Sequence, residues 1–304
     1  MKLKNYSYVT ILLLSTIFWG SSFVLTKHLL IDLTPIGIIF FRLLIASIFS
    51  VTICLLVFKK KFFIAPKDIK FFIGLALFEP IIYFICETYS LSFCDPSIIS
   101  VIIATIPLFN AFVARIYYHE VLTKLNIIGI AISVLGIVIM VAPELADSSL
   151  SIAGLLLAVG AVLASTGYNA FLKKIPTTYN PIVIITWQNL IGLIVFTILF
   201  LILNQQQEII SQVVASKSIK NLTYLFTLSI FCSTLAFIFY AQAVRGIGIA
   251  KSSIYTNFIP VVTLIISFIL LNEKITLPKI IGSLIVFLGI CLVQQKKSAE
   301  KIVQ

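Results

Sequence analysis

PLFNAFVARIYYHEVLTKLNIIGIAISVLG at residues 107–136 returns as PVVTLIISFILLNEKITLPKIIGSLIVFLG at residues 260–289. Each is an apolar run, a short polar loop and a second apolar run. Pro107, Glu120, Thr123, Gly129 and Gly136 are matched by Pro260, Glu273, Thr276, Gly282 and Gly289, each 153 residues on. Five identities at one offset mark an internal repeat. Further upstream the offset becomes 146, where Pro35-Ile36 pairs with Pro181-Ile182, Lys27 with Lys173 and Arg42 with Gln188.

Around this repeat the whole 304-residue chain is apolar: 60% hydrophobic, 11% charged, mean hydropathy +1.14. Soluble domains carry about 25% charged residues, so a water-soluble fold is excluded. A hydrocarbon core about 30 Å thick takes roughly 20 apolar residues per helix. Spans are expected at about 9 to 31, 35 to 58, 70 to 92, 96 to 118 and 124 to 142, then at about 151 to 173, 181 to 203, 219 to 243, 247 to 271 and 276 to 293. Barrel strands are excluded because they need only ~10 residues each and alternate apolar with polar positions. The expected fold is an all-α integral membrane protein of ten transmembrane helices in two five-helix repeats, residues 1–142 and 151–293, with a tail at 294–304. An odd number of spans per repeat inverts the second copy relative to the first. Such repeats place a substrate site near the midplane, between the halves.

The net charge of +11 points to topology, not to nucleic acid. With the N-terminus cytoplasmic, 16 of the 22 Lys and Arg residues fall on the cytoplasmic side, 5 outside, and Arg42 within a span. The positive-inside rule then puts both termini in the cytoplasm of a multi-pass plasma membrane protein, read as a bacterial inner membrane. The first apolar run continues past the length of a signal-peptide core and shows no small-x-small cleavage site, so it reads as an uncleaved helix. Cys54, Cys86, Cys94, Cys232 and Cys291 form no C-x-x-C pair and read as apolar fillers, with no metal site or cofactor indicated.

Phe18-Trp19-Gly20-Ser21-Ser22 in the first span, Phe41-Arg42-Leu43-Leu44 in the second, and the Glu-x-x-Thr with spaced glycines in both halves resemble the drug/metabolite transporter superfamily, EamA type. The resemblance covers the whole chain. It departs where this type usually has Gly before the repeated Glu, since His119 and Asn272 stand there. The resemblance implies a ten-helix carrier of small metabolites, often an exporter, without an ATPase domain and with a central cavity lined by both halves.

Ionisable groups inside hydrocarbon need a partner, water or a task. Counting a 1.5 Å rise per residue puts Arg42 and Glu87 at similar depth, ~10 Å or less from the outer ends of their spans. They read as a structural ion pair, the rival being that Arg42 takes a substrate carboxylate bidentately. Glu79 lies ~20 Å from the outer end, near the midplane, beside Pro80 and with no Lys or Arg expected at its depth. It shares a helical face with Tyr83, Cys86, Glu87 and Ser90, a polar stripe that should face a cavity. Glu79 is therefore the candidate for proton coupling or for anchoring a substrate amine, against a plain structural hydrogen bond.

Further cavity candidates are Trp19 and Ser22 in the first span, Ser100 in the fourth, Tyr168 and Asn169 in the sixth, Gln188 in the seventh, Tyr240 in the eighth, and Ser253 with Asn257 in the ninth. For the serines, close helix packing is the competing reading. The repeat glycines read as a packing seam between the fifth and tenth spans, and Glu120 and Glu273 as structural loop residues. Neutral hydrogen-bonding groups and aromatics with little fixed charge suit a zwitterionic or neutral metabolite. The expectation is a secondary carrier, not an enzyme, for a small organic metabolite such as an amino acid. The alternatives are a carrier of amphipathic cations, a membrane sensor or scaffold, and an intramembrane enzyme; no nucleophile with a base converges at one depth.

Overall fold

The computed structural model describes residues 5–58, 62–109, 124–146, 151–204, 206–248, 252 and 255–294. Among these residues every regular element is helical. In hydrocarbon that is the outcome physics requires, because a helix satisfies its own backbone polar groups. The first half holds α1 (Asn5–Leu29), α2 (Pro35–Phe58), α3 (Pro66–Phe93), α4 (Pro96–Phe109) and α5 (Lys124–Ala146). The second holds α6 (Ile152–Lys174), α7 (Pro181–Leu203), α8 (Gln206–Ser216), α9 (Ile219–Ile247), α10 (Ile259–Leu271) and α11 (Leu277–Gln294).

Six helices are long and apolar enough to cross a bilayer: α1, α2, α3, α6, α7 and α9. Shorter apolar helices occupy the four remaining expected positions, at Pro96–Phe109, Ile127–Pro143, Ile259–Leu271 and Leu277–Leu292. Helix starts follow local chemistry. Pro35, Pro96 and Pro181 stand in the first turns of α2, α4 and α7, where a missing N–H costs nothing. Asn180 caps α7 by accepting from the Ile182 amide at 3.0 Å, and Ser218 caps α9 through the Asn221 amide at 3.3 Å.

Two boundaries differ from expectation. The eighth span runs to Ile247, not 243, and is closed by Gly248 at φ 84°, ψ 160°, a backbone conformation that only glycine adopts readily. A start for the ninth span at 247 is thereby ruled out. The loop expected between 203 and 219 contains α8, whose Gln212 and Ser216 face inward; Gln212 Oε1 accepts from the Thr34 hydroxyl at 2.8 Å.

Helices of one half pack mainly on helices of the other: α1 on α9 and α10, α2 on α7, α3 on α6, α4 on α10, and α5 on α11. The α5–α11 contact is the glycine seam. A Cβ on Gly136 would meet the Gly282 carbonyl oxygen and the Val286 nitrogen, both at 2.7 Å, and one on Gly289 would meet the Ser133 nitrogen at 2.7 Å. Gly20, inside the Phe18–Ser22 motif, does the same for α1 and α10: a Cβ there would meet Val262 Cβ at 2.6 Å. That approach lets the Thr263 hydroxyl donate to the Gly20 carbonyl at 2.9 Å. Outward faces carry Leu56, Leu156 and Ile202, each two-thirds exposed or more, as a lipid-facing belt requires.

Polar contacts tie the halves together at both ends of the bundle. At one end Asn221 Nδ2 donates to Asp32 Oδ2 at 2.9 Å, and Lys279 Nζ lies 2.9 Å from both Asp95 Oδ2 and Glu273 Oε1. Glu273 also accepts from the Ser97 and Ser267 hydroxyls. At the opposite end the Tyr179 hydroxyl donates to Asp68 Oδ2 at 2.8 Å and accepts from the Ala65 amide at 3.0 Å. Arg245 donates there to the Tyr179 carbonyl. Glu120, Thr123 and His119 lie outside the described residues.

Candidate functional site

A central cavity of about 50 Å³ lies where the two halves meet. Its wall is built by Trp19, Ser22 and Phe23 of α1, Arg42 of α2, Glu79, Tyr83, Phe84 and Glu87 of α3, and Ile103 and Ile106 of α4. From the second half come Ser165, Tyr168 and Asn169 of α6, Phe237 and Tyr240 of α9, and Thr256 with Ile259 at the start of α10.

Four departures from regular helix shape this wall. In α3 the segment Leu77–Ile82 is π-helical, and Glu79 within it is extended at φ −146°, ψ 117°, followed by Pro80, which has no amide hydrogen to donate. In α9 the segment Thr227–Leu235 is π-helical as well. There Ser233 Oγ donates to the Leu228 carbonyl at 2.9 Å and Thr234 Oγ1 to the Ser229 carbonyl at 3.0 Å, each five residues back, so hydroxyls support the widened turn. Such turns recur at functional sites because they redirect side chains without ending the helix. The other two are breaks: α4 is interrupted by a turn at Ala104–Thr105, and a turn at Asn257–Phe258 precedes α10. Pro107 and Pro260 follow at the same spacing, and a proline ring excludes the carbonyl four residues back, here Ile103 and Thr256. Both of those residues line the cavity.

Arg42, 2% exposed, is held on three sides. Its Nε donates to Ser233 Oγ, its guanidinium carbon lies 3.9 Å from the centroid of the Phe84 ring, and its Nη1 is 3.6 Å from Glu87 Oε2. That last separation exceeds the 2.7–2.9 Å of a charge-assisted hydrogen bond, by about 0.7 Å or more. Arg42 Nη1 and Glu87 Oε2 are both buried without a hydrogen-bond partner, and so are Trp19 Nε1, Tyr168 OH and Asn169 Oδ1. Buried polar atoms are normally satisfied, so a cluster of unspent donors and acceptors around one cavity is what a polar ligand would complete. Trp19 packs against Phe237 and Tyr240 with ring centroids 5.1 and 5.2 Å away, an apolar wall facing the charged one.

The sequence candidates divide accordingly. Trp19, Ser22, Glu79, Tyr83, Tyr168, Asn169 and Tyr240 all stand on the cavity wall. Ser100 is buried but its hydroxyl donates to the Ser97 carbonyl at 2.8 Å, away from the cavity. Gln188 is buried in α7 and likewise off the wall. Asn257 faces a separate, apolar lateral cleft of about 500 Å³ between α4, α10 and α11. Ser253 lies outside the described residues. Arg42, Glu79 and Glu87 line the same cavity. A constant rise per residue does not hold across the extended Glu79 and its π-helical turn. Phe84, Phe237, Ile103, Ile259 and Ser233 were not singled out by their sequence. The four apolar ones resemble lipid-facing residues, and Ser233 is one of many span hydroxyls.

Among the described residues no three His, Cys, Asp or Glu side chains converge as metal ligands. A solved crystal structure superposes on this chain with a TM-score of 0.69, covering 95% of this chain and 98% of that one at 13% identity, which establishes a shared fold. An uncharacterised transporter of Archaeoglobus fulgidus is 28% identical over 94% of this chain and 98% of its own length. The uncharacterised Bacillus subtilis transporter YvbV is 24% identical over 94% and 90%, and YoaV of the same organism 24% over 90% and 92%. The model of the EamA-like transporter family matches residues 6–142 and matches again at 152–294. Matched in both halves and over nearly its full length, the chain belongs to the EamA-like transporter family and is a multi-pass membrane transporter.

Proposed function

We propose that the protein is a secondary carrier that exports a small zwitterionic metabolite such as an amino acid by alternating access. The observation that carries this reading is the central cavity itself, where one guanidinium, two carboxylates and several unspent neutral polar atoms face an aromatic wall. A zwitterion supplies the complement: a carboxylate for Arg42, an amine for Glu79 or Glu87, and an apolar portion for Trp19, Phe237 and Tyr240. Glu79 is the proton-coupling group in this scheme.

The architecture proposed is ten spans in two inverted repeats, residues 1–142 and 151–293, in the bacterial inner membrane with both termini cytoplasmic. Support comes from the family match in each half, from the 153-residue spacing of the α4 and α10 breaks, and from a π-helical turn in each half. A cavity of about 50 Å³ is far below the roughly 300–1,000 Å³ of small-molecule sites, which suits a closed form that must open to load. A second reading, a carrier of amphipathic cations, is favoured by the excess of carboxylates over Arg42 and by the aromatic wall.

The test is counterflow in proteoliposomes with a panel of amino acids, their decarboxylated amines and lipophilic cations, at two internal pH values. Saturable exchange of amino acids whose pH dependence requires Glu79 supports the proposal. Exchange of the amines or lipophilic cations alone moves the function to the second reading, and no exchange of any solute rejects carriage of these classes.

A further inference from the structure

We infer that Arg42 is the seat of the substrate's carboxylate, that Glu87 occupies that seat as an internal surrogate when no substrate is bound, and that Ser233 is the positioning residue. The inference rests on the proposed transport of a zwitterion and names how its anionic end is recognised.

The geometry distinguishes this from a purely structural ion pair. A structural buried pair offsets the desolvation of two charges only when it closes to hydrogen-bond distance and fills the remaining donor sites. Here the closest approach of Arg42 to Glu87 is 3.6 Å, and neither atom of that approach has a hydrogen bond. The guanidinium is nevertheless fixed: its carbon lies over the Phe84 ring, and Ser233 holds Nε. Ser233 is itself fixed, because its hydroxyl is bonded to the Leu228 carbonyl across the π-helical turn. In a regular α-helix that hydroxyl would back-bond three or four residues away, so the π turn is what leaves Ser233 in reach of α2. A planar, pre-aimed guanidinium whose outer nitrogen is unspent and which borders a cavity is a fork for a bidentate carboxylate. Glu87 stands where such a carboxylate would approach, close enough to hold the charge and too far to satisfy it. The three residues come from α2, α3 and α9, so occupancy of the seat also reports on how the halves sit together.

The test uses the purified full-length protein in detergent and a matched pair of probes, 3-phenylpropionate and the neutral 3-phenylpropionamide, with binding read by thermal stabilisation and calorimetry. Wild type is expected to bind the acid at least tenfold better than the amide. Ser233→Ala should lower affinity for the acid by roughly 10-fold or more, the scale of a hydrogen bond to a charged group, without changing the amide, and Ser233→Thr should restore it. Glu87→Gln should tighten the acid several-fold by removing the competitor. Equal binding of acid and amide, no binding of the acid at millimolar concentration, or an acid affinity weakened by Glu87→Gln would overturn the inference. So would a Ser233→Ala variant that weakens both probes alike, the signature of a structural role. Counterflow of amino acids that persists despite any of these results would leave the carrier reading standing and remove only the carboxylate seat.

Discussion

Glu79 is the residue at which local backbone and chemistry meet, since its extended conformation interrupts α3 and it borders the cavity with Arg42 and Glu87. Replacement by Gln keeps the shape and removes the titrating group. The expected outcome is transport that still runs downhill but no longer responds to an imposed pH gradient, measured by counterflow at matched and unmatched pH; a response identical to wild type would remove Glu79 from coupling. Trp19 makes a second, smaller test. Trp19→Ala should weaken substrate binding roughly 2- to 10-fold, as about 0.5–1.5 kcal/mol of ring contact implies. Trp19→Phe should recover most of that if stacking matters, and little if the unpaired Nε1 is the contact. These residues were legible in sequence because a Glu, an Arg or a mid-span Trp has no reason to sit in hydrocarbon. Phe84 and Ile259 were not, since an apolar side chain reads alike whether it faces lipid or a cavity.

Elements were legible in proportion to how local their causes are. The α5–α11 seam follows from glycines spaced to one helix face, and the close approach at Gly136, Gly282 and Gly289 is the result. Gly136→Val should therefore lower thermal stability in detergent by about 1–3 kcal/mol, the usual cost of overpacking, because the blocking atoms are backbone of the facing helix and cannot rotate away. Gly248→Ala is the contrasting case: no atom lies within 4 Å of an added Cβ, but φ is 84°. Its cost should be about 1–3 kcal/mol of backbone conformation alone, and Asn should recover none of it, because ψ of 160° lies outside the left-handed helical region that Asn tolerates. The two π-helical turns were not legible. Pro80 announces a disturbance in α3, whereas nothing in TLSIFCSTL at residues 227–235 separates a π turn from an ordinary span; the contact that goes with it, Ser233 to Arg42, lies on another helix 191 residues away in sequence. The helix α8 was missed for the opposite reason, being short and amphipathic inside a stretch polar enough to read as a loop.

At the scale of the whole molecule the halves are fastened at both ends at once, and the cavity between them is correspondingly small. One fastening joins Asp32 to Asn221 and Lys279 to Asp95 and Glu273; the other joins Tyr179 to Asp68. Any motion that exposes the cavity to one side must break the fastening on that side and can keep the other. Each should therefore act as a separable restraint, so that weakening one biases the carrier towards opening at that end. Within the first fastening the burden is uneven. The Lys279 and Glu273 side chains are 4% and 7% exposed, while that of Asp95 is 42% exposed. Lys279→Met leaves Glu273 buried without its cation and should cost about 3–5 kcal/mol of stability, whereas Asp95→Asn, at the water-exposed edge, should cost under about 1 kcal/mol. The Asn variant is thus the usable probe of motion. Combined with Asn221→Ala it should raise the reaction rate of a cysteine placed at Ser165 with a membrane-impermeant thiol reagent added from the Asp32 side. Tyr179→Phe, which removes the hydroxyl that bridges Asp68 and Ala65, should raise it from the opposite side only. Equal changes from both sides would mean that the halves loosen together, and the two ends would then be one structural clamp without any gating role.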